Sequence, residues 1–231
     1  MNKSTYLSVL AAITLIVAMS FPSNASAQRI SCKDANPSLS VKTATTRTKY
    51  VRTKSAKDLT DLHGGGGNSR VGGLGGGEIG FRTATKFEVS SVGDKACVKL
   101  KRLEVKFYAK PEIHVASNFS RNSCEYAAVL NHENGHIRIL RKFVREYSPK
   151  VKQEMMQVAK RLDTAIGPIP VSNVEKAQKK LQQEFIKELQ RINDKIMPVL
   201  AKRQQAFDNP KEYARVASKC RKWDQKLARD R

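Results

Sequence analysis

Acidic residues are scarce in this 231-residue chain: 21 Asp and Glu stand against 43 Lys and Arg, for a formal charge of +22. That balance favours anionic surroundings: lipid head groups, cell-envelope polymers, acidic substrates or nucleic acid. Aromatic residues are also few, at 6% with a single Trp. They do not interleave with the basic residues and no nucleic-acid motif is present, so specific nucleic-acid recognition is not expected. Cysteine is limited to four residues, none in a Cys-x-x-Cys pair. That argues against a thiolate zinc site and a redox motif. The glycines lack a Gly-Lys-Ser/Thr ending, which removes a phosphate loop of that type. The one long apolar run, residues 7–19, contains Ser8, Thr14 and small residues. It is too short for a full membrane span.

That run fits instead into a secretory signal peptide over residues 1–27. Lys3 supplies the basic end, residues 7–19 the apolar stretch, and Ala25-Ser26-Ala27 the small residues for cleavage before Gln28. A secreted or periplasmic protein without a transmembrane anchor after cleavage is expected. Loss of Lys3 takes the charge from +22 to +21. In an exported chain an even cysteine count implies two disulfides, with three possible connectivities among Cys32, Cys97, Cys124 and Cys220. Cys97–Cys124 and Cys32–Cys220 are the preferred pairs, the first joining strand region to helix and the second joining the two ends.

Residues 28–120 read as β-rich. Residues 38–54 have strand character, and a turn or short helix fits residues 55–62. Residues 63–80 then hold ten of the thirteen glycines. Gly75-x-Gly77-x-x-Gly80 matches the dinucleotide fingerprint, but a strand pattern follows where that fingerprint needs a helix. A mobile Gly-rich loop is expected there. Ile79, Phe81, Thr83, Thr85, Phe87 and Val89 alternate with period two, the signature of a half-buried strand. Gly93-Asp94 is a turn pair, and the chain returns over residues 97–108. Val98 and Leu100 share one parity there, while Leu103, Val105 and Phe107 share the other, so a bulge is expected near Lys101-Arg102. An edge strand over residues 112–116, carrying His114, completes a small, mostly antiparallel sheet.

Residues 121–231 read as helical, in one domain with the sheet. Asn122 and Glu125 have the spacing of a capping box. His132-Glu133-Asn134-Gly135-His136 follows, and its His-Glu-x-x-His spacing puts two imidazoles on one helical face, able to grip one zinc ion. Glu133 is then placed as a general base. Projected at about 100° per residue, His132 and His136 share an arc with Val129, Ile137, Ile139, Leu140, Phe143, Val144 and Tyr147. Asn131, Asn134, Arg138, Arg141, Lys142 and Arg145 occupy the opposite side. An ionised carboxylate inside an apolar arc is costly without a partner, and a metal centre accounts for His132, Glu133 and His136 together. Gly135, unfavourable inside a helix, is expected where another backbone passes close.

The helix is expected to bend or stop at Pro149, and Gly167-Pro168-Ile169-Pro170 is a harder stop. Ser172 and Glu175 offer a second capping box. Val174, Ala177, Leu181, Phe185, Leu189, Ile192 and Ile196 form a long amphipathic stripe. Pro198 and Asp208-Asn209-Pro210 interrupt it before a last helix over residues 213–227. A catalytic zinc usually takes three protein ligands. A longer motif with glycine three and histidine six residues after His136 is excluded by Ile139 and Lys142. If the chain reverses at residues 167–170, antiparallel helices bring Asp208 level with His132 and His136. Reversal at Pro149 brings Asp163 instead, and Glu154 is the nearest candidate on a following helix. Asp208 is preferred, with Asp163 and Glu154 as alternatives. His114 is a further histidine whose strand position more often serves structure.

Ala96-Cys97-Val98, Lys110-Pro111-Glu112, Cys124 and His132 to His136 recur in this order in a known family. Over residues 50–213 the chain resembles the bacterial secreted predicted zinc-dependent proteases grouped as domain of unknown function 922. The resemblance implies an α+β, zincin-like fold with a Zn2+ cofactor. The family carries an aromatic-Asp pair followed by Thr-x-His-Gly. Phe207-Asp208 matches the pair, but the stretch from Asn209 to Tyr213 lacks the histidine. The expected function is a secreted or periplasmic zinc metallopeptidase acting on peptide or protein substrates. Rival readings are a catalytically inactive basic binding or scaffold protein and a zinc-dependent cell-wall amidase.

Overall fold

A computed structural model describes residues 30–64, 70–221 and 223–227; the expected signal peptide lies outside them. The period-two alternation builds a hairpin of two long strands, which forms the spine of the sheet. After β1 (Ser38–Thr45), β2 (Lys49–Val51) and the short helix α1 (Ala56–Leu62), β3 runs from Gly73 to Val92. β4 (Lys95–Val115) returns antiparallel to it. Gly93, at φ 57°, supplies the left-handed residue of the two-residue turn. Lys86 pairs with Arg102 and Phe87 with Leu100, leaving Lys101 as the bulged residue that the parity slip implied.

β3 occupies one side of β4 along its whole length, while β1, β2 and β5 (Ala165–Pro170) share the other. β1 and β2 run parallel to β4 and β5 antiparallel, so the expected mostly antiparallel sheet is mixed. Alternation fixes which face of a strand is buried, but not the direction in which it pairs. Two further expectations change. The separate edge strand at residues 112–116 is the end of β4 itself. Pro111 lies in that strand, in the gap between β1, which ends opposite Ala109, and β2, which starts opposite Glu112. The Gly-rich tract is not simply a loop either, because Gly73 to Gly80 form the first eight residues of the 20-residue β3.

The inner face of the sheet carries Leu103, Val105, Phe107 and Ala109, all nearly inaccessible to solvent. Against it lies α2 (Cys124–Arg161), a 38-residue helix. Phe107 stacks on Phe81 and meets Phe143 edge-on, and Phe143 stacks on Tyr147, so the scarce aromatics concentrate at this seam. Truncating such a buried Phe to Ala typically costs about 3–5 kcal/mol. α2 is capped by Ser123, whose hydroxyl accepts from the Tyr126 N–H, and not by Asn122. Glu125 is buried and accepts from Lys226 Nζ at 2.7 Å. The helix runs through Pro149, because buried Phe143, Val144, Val151 and Met155 on both sides outweigh the lost hydrogen bond.

After β5 and a short 3-10 turn comes α3 (Val174–Phe207), which likewise continues through Pro198. Asn173 is its N-cap residue and makes no side-chain cap bond, so the Ser172–Glu175 box is absent. The ion pairs Arg161–Glu188, Glu154–Lys195 and Glu146–Arg203 step down α2 as they climb α3, so the two helices are antiparallel. The amphipathic stripe is buried from Ala177 to Ile196 as the spacing implied, with Val174 half-buried and Leu200 extending the buried face. The expected last helix is divided into α4 (Pro210–Ala217) and α5 (Trp223–Leu227). No helix among the described residues is long and apolar enough to cross a membrane.

The disulfides are Cys32–Cys97 and Cys124–Cys220. The expected pairing fails on distance. Cys97 lies near the start of β4 and Cys124 beyond its end, on the order of 60 Å apart along the strand at about 3.3 Å per residue. Cys97 meets the N-terminal segment instead, where Thr164 binds Asp34 and Ala35. Non-reducing peptide mapping will recover these two pairs, and reduction will lower unfolding stability by about 2–5 kcal/mol per bridge removed. Recovery of a Cys97–Cys124 peptide would contradict this fold.

Candidate metal centre

The buried arc of α2 brings His132, Glu133 and His136 to 5–6% exposure. Their helical spacing sets His132 Nε2 3.3 Å from His136 Nε2. The third donor comes from the break between α3 and α4. Asp208 follows the last residue of α3, and Asn209 begins α4 by accepting the Glu212 N–H at 3.0 Å. In that break the Asp208 carboxylate points back at α2. Its Oδ1 lies 3.1 Å from His132 Nε2 and 2.9 Å from His136 Nε2. Two imidazoles and one carboxylate thus offer ligand atoms within 4.8 Å of one another.

The spacing suits a metal ion. Four-coordinate zinc with bonds of about 2.0–2.1 Å has donor–donor edges of roughly 3.3 Å, against the observed 3.3, 3.1 and 2.9 Å. The outer ring nitrogens are also engaged. His132 Nδ1 lies 3.1 Å from Glu212 Oε1, and His136 Nδ1 lies 2.6 Å from Gln204 Oε1. Each oxygen can accept the Nδ1–H, which leaves Nε2 as the lone-pair donor facing the centre. Glu212 is in turn held by Arg215, whose Nε donates at 2.6 Å.

Room for this packing is made by glycine. Phe207 stacks on the His132 ring at 5.0 Å and meets His136 edge-on at 5.0 Å. Any side chain at Gly135 would strike the Phe207 ring, so the close neighbour is an aromatic side chain and not the expected backbone. The backbone that does pass close belongs to β3. A Cβ at Gly75 would lie 2.6 Å from the Glu133 carbonyl oxygen, and one at Gly73 would lie 2.8 Å from its carboxylate.

Burial pushes the Glu133 carboxyl up to about 7, opposed by the positive charges of His136 and His132 and by the Gly75 N–H. Burial disfavours charge on both imidazoles, but hydrogen bonds to Asp208, with Glu212 or Gln204, outweigh it and raise their pKa. Burial acts upward on Asp208 as well, and the two imidazoles still hold it well below the usual carboxylate range. Tyr213 lies 5.9 Å from His132 between ring centroids and bonds to Asp208. Burial and the nearby carboxylates push its phenol up to about 12.

The other candidate ligands are elsewhere. Glu154 pairs with Lys195 at 2.8 Å, and Asp163 is exposed between α2 and β5. His114 turns to Glu112 on the sheet, 2.9 Å away. Gln204 and Glu212 were not identified from the sequence, although Gln204, Asp208 and Glu212 recur every four residues; Phe207 was marked there only as half of the aromatic-Asp pair. No family model, curated protein or solved structure matches this chain.

Alanine replacement of Asp208 will lower divalent-metal affinity by at least on the order of a hundredfold, while Glu154→Ala, Asp163→Ala and His114→Ala will leave it intact. Glu212→Ala will cost about 10–100-fold, the usual effect of losing a group that orients a ligand. Metal must expel protons from His132 and His136. Because their pKa values are raised, proton competition extends to higher pH than for ordinary imidazoles, and affinity falls as pH falls. Competition with a chelator at pH 8 and pH 6 measures both effects. Full metal retention by Asp208→Ala would exclude Asp208 as a ligand.

Proposed function

We propose that the chain is a zinc-dependent peptidase acting outside the cytoplasm. The observation that carries this reading is a single arrangement. Glu133 is buried beside three convergent donors, and the N–H of Gly75 bonds to its carboxylate. Two imidazoles with one carboxylate suit zinc better than magnesium or calcium, which favour all-oxygen sites. His132, His136 and Asp208 would hold the ion, with Glu212 and Gln204 fixing the two imidazoles. When bound, zinc supplies Lewis acidity and makes water a nucleophile near neutral pH.

Glu133 accepts the proton of the attacking water and delivers it to the leaving amine. Its raised pKa suits a group that must take and return a proton near neutrality. The neighbouring strand supports a peptide substrate. Among the described residues no strand pairs with the outer edge of β3, which passes Glu133 at Gly75. An extended chain can align on such an edge through backbone hydrogen bonds.

Two disulfides and the lack of a membrane-crossing helix among the described residues are compatible with a secreted or periplasmic location. The charge of +22 favours the cell-wall amidase reading as a second possibility, since the same groups can hydrolyse an amide within an anionic polymer. Glu133→Gln will keep the metal and reduce hydrolysis by at least about 10²–10⁴-fold, the contribution typical of a general base. Incubation with casein and with peptidoglycan distinguishes peptidase from amidase. A metal-loaded wild type inactive on both would leave the scaffold reading.

A further inference from the structure

We propose that the outward face of the sheet, opposite the helices, docks on an anionic phospholipid surface. The face is built by alternation along β4: Arg102, Glu104, Lys106, Tyr108 and Lys110 point away from the core. Register then places Arg82 of β3 and Lys42 of β1 directly beside Lys106, one on each side. Three cations therefore stand in one row across three strands. Cross-strand neighbours have Cβ atoms only about 4.5–5.5 Å apart, and like charges there are destabilising.

Other cations on this face are neutralised. Lys101 pairs with Glu88 at 3.0 Å, Lys110 with Glu78 at 2.6 Å and Arg102 with Glu104 at 3.5 Å. Among the described residues Lys42, Lys86 and Lys106 have no acidic partner. Four residues along the strands from the cation row, about 13 Å away, the bulge at Lys101 opens a cavity of about 370 Å³. Lys86, Lys101, Arg102 and Ser38 line it together with Phe87 and Glu88. Lys101 and Arg102 are held there by Glu88 and Glu104, so the cavity presents one unpaired cation, Lys86, on the scale of a small polar group.

The shape and chemistry favour a bilayer over a sugar polymer. Tyr108 is the ring at the centre of this face, and its surroundings are occupied. Arg82 lies 4.9 Å and Lys110 5.5 Å from its centroid, and its hydroxyl donates to Glu78. No free ring remains there on which a saccharide could stack. At the tip of the same hairpin Val92, on the parity of Arg82 and Lys86, is exposed, and Val171, joined to Asp94 by a 3.0 Å backbone bond, is exposed near it. This apolar tip lies six residues, about 20 Å, along β3 from the unpaired Lys86, and apolar contact combined with cations matches the chemistry of a headgroup layer over acyl chains.

The test is co-sedimentation of the chain from Gln28 onward, as it stands after the expected cleavage, with phosphatidylcholine vesicles, with and without about 30% phosphatidylglycerol. Two triple variants carry the same change in charge. One reverses Lys42, Arg82 and Lys106 to Glu; the other reverses Arg145, Lys152 and Lys202, exposed residues of α2 and α3. Wild type is expected to bind only the anionic vesicles. The sheet variant should lose on the order of a hundredfold or more in partition, and the helix variant less than about threefold, a diffuse-charge effect. Circular dichroism checks folding, and Lys106→Glu alone should raise Tm because it relieves the like-charge row. Equal losses in the two triples would overturn the proposal in favour of general basicity. Binding to soluble polyphosphate without vesicle binding would overturn it in favour of a polymer.

Discussion

The antiparallel stagger of α2 against α3 is the constraint on which the candidate centre depends. His132 and His136 share a helix and face the same way from local geometry alone, but a third donor must arrive from 72–76 residues further along the chain. Buried Phe185, Leu189, Ile192, Ile196 and Leu200 of α3 share one core with Leu140, Phe143, Val144, Val151 and Met155 of α2. Burying side chains of this size contributes about 1.5–3 kcal/mol each before chain entropy is counted. Three ion pairs mark the register, although exposed pairs of this kind add little energy. With the stagger set, the end of α3 falls opposite His132, and the break after Phe207 delivers Asp208.

A second requirement is close approach without collision. The centre places an aromatic ring, two imidazoles, two carboxylates and a strand backbone around one turn of α2. Gly135 admits Phe207 from one side, while Gly73 and Gly75 admit the strand from the other. This gives the Gly-rich tract a role that composition alone does not reveal, since its second half is a strand pressed onto the helix. The Cys124–Cys220 bridge ties the start of α2 to the segment beyond α4, and so holds Glu212 and Tyr213 near the imidazoles. The outer face of the same sheet, with its unpaired cations, is free for a separate use.

Much of the local structure was legible because it is written in short periods. Alternation from Ile79 to Val89 gave a strand, and the parity slip gave the bulge at Lys101. The stripe from Val174 to Ile196 gave the buried face of α3. Counting outward from the break at residues 167–170 brought Asp208 to the centre, even though those residues form β5 and not a simple turn. Prolines do not stop either helix, because packing carries α2 through Pro149 and α3 through Pro198. Capping motifs misled at Asn122 and Ser172, where neighbouring residues took the cap.

The sequence by itself determined that His132, Glu133 and His136 share a buried helical arc, because a period of 3.6 residues fixes that within two turns. It also determined the two long amphipathic elements that meet there. Tertiary structure decided the matters that depend on distances between remote residues. It selected Asp208 over Asp163, Glu154 and His114, supplied Glu212 and Gln204 behind the imidazoles, and set the cysteine pairs. It also ran β1 and β2 parallel to β4. No local pattern encodes these outcomes, because each follows from how the long elements stack.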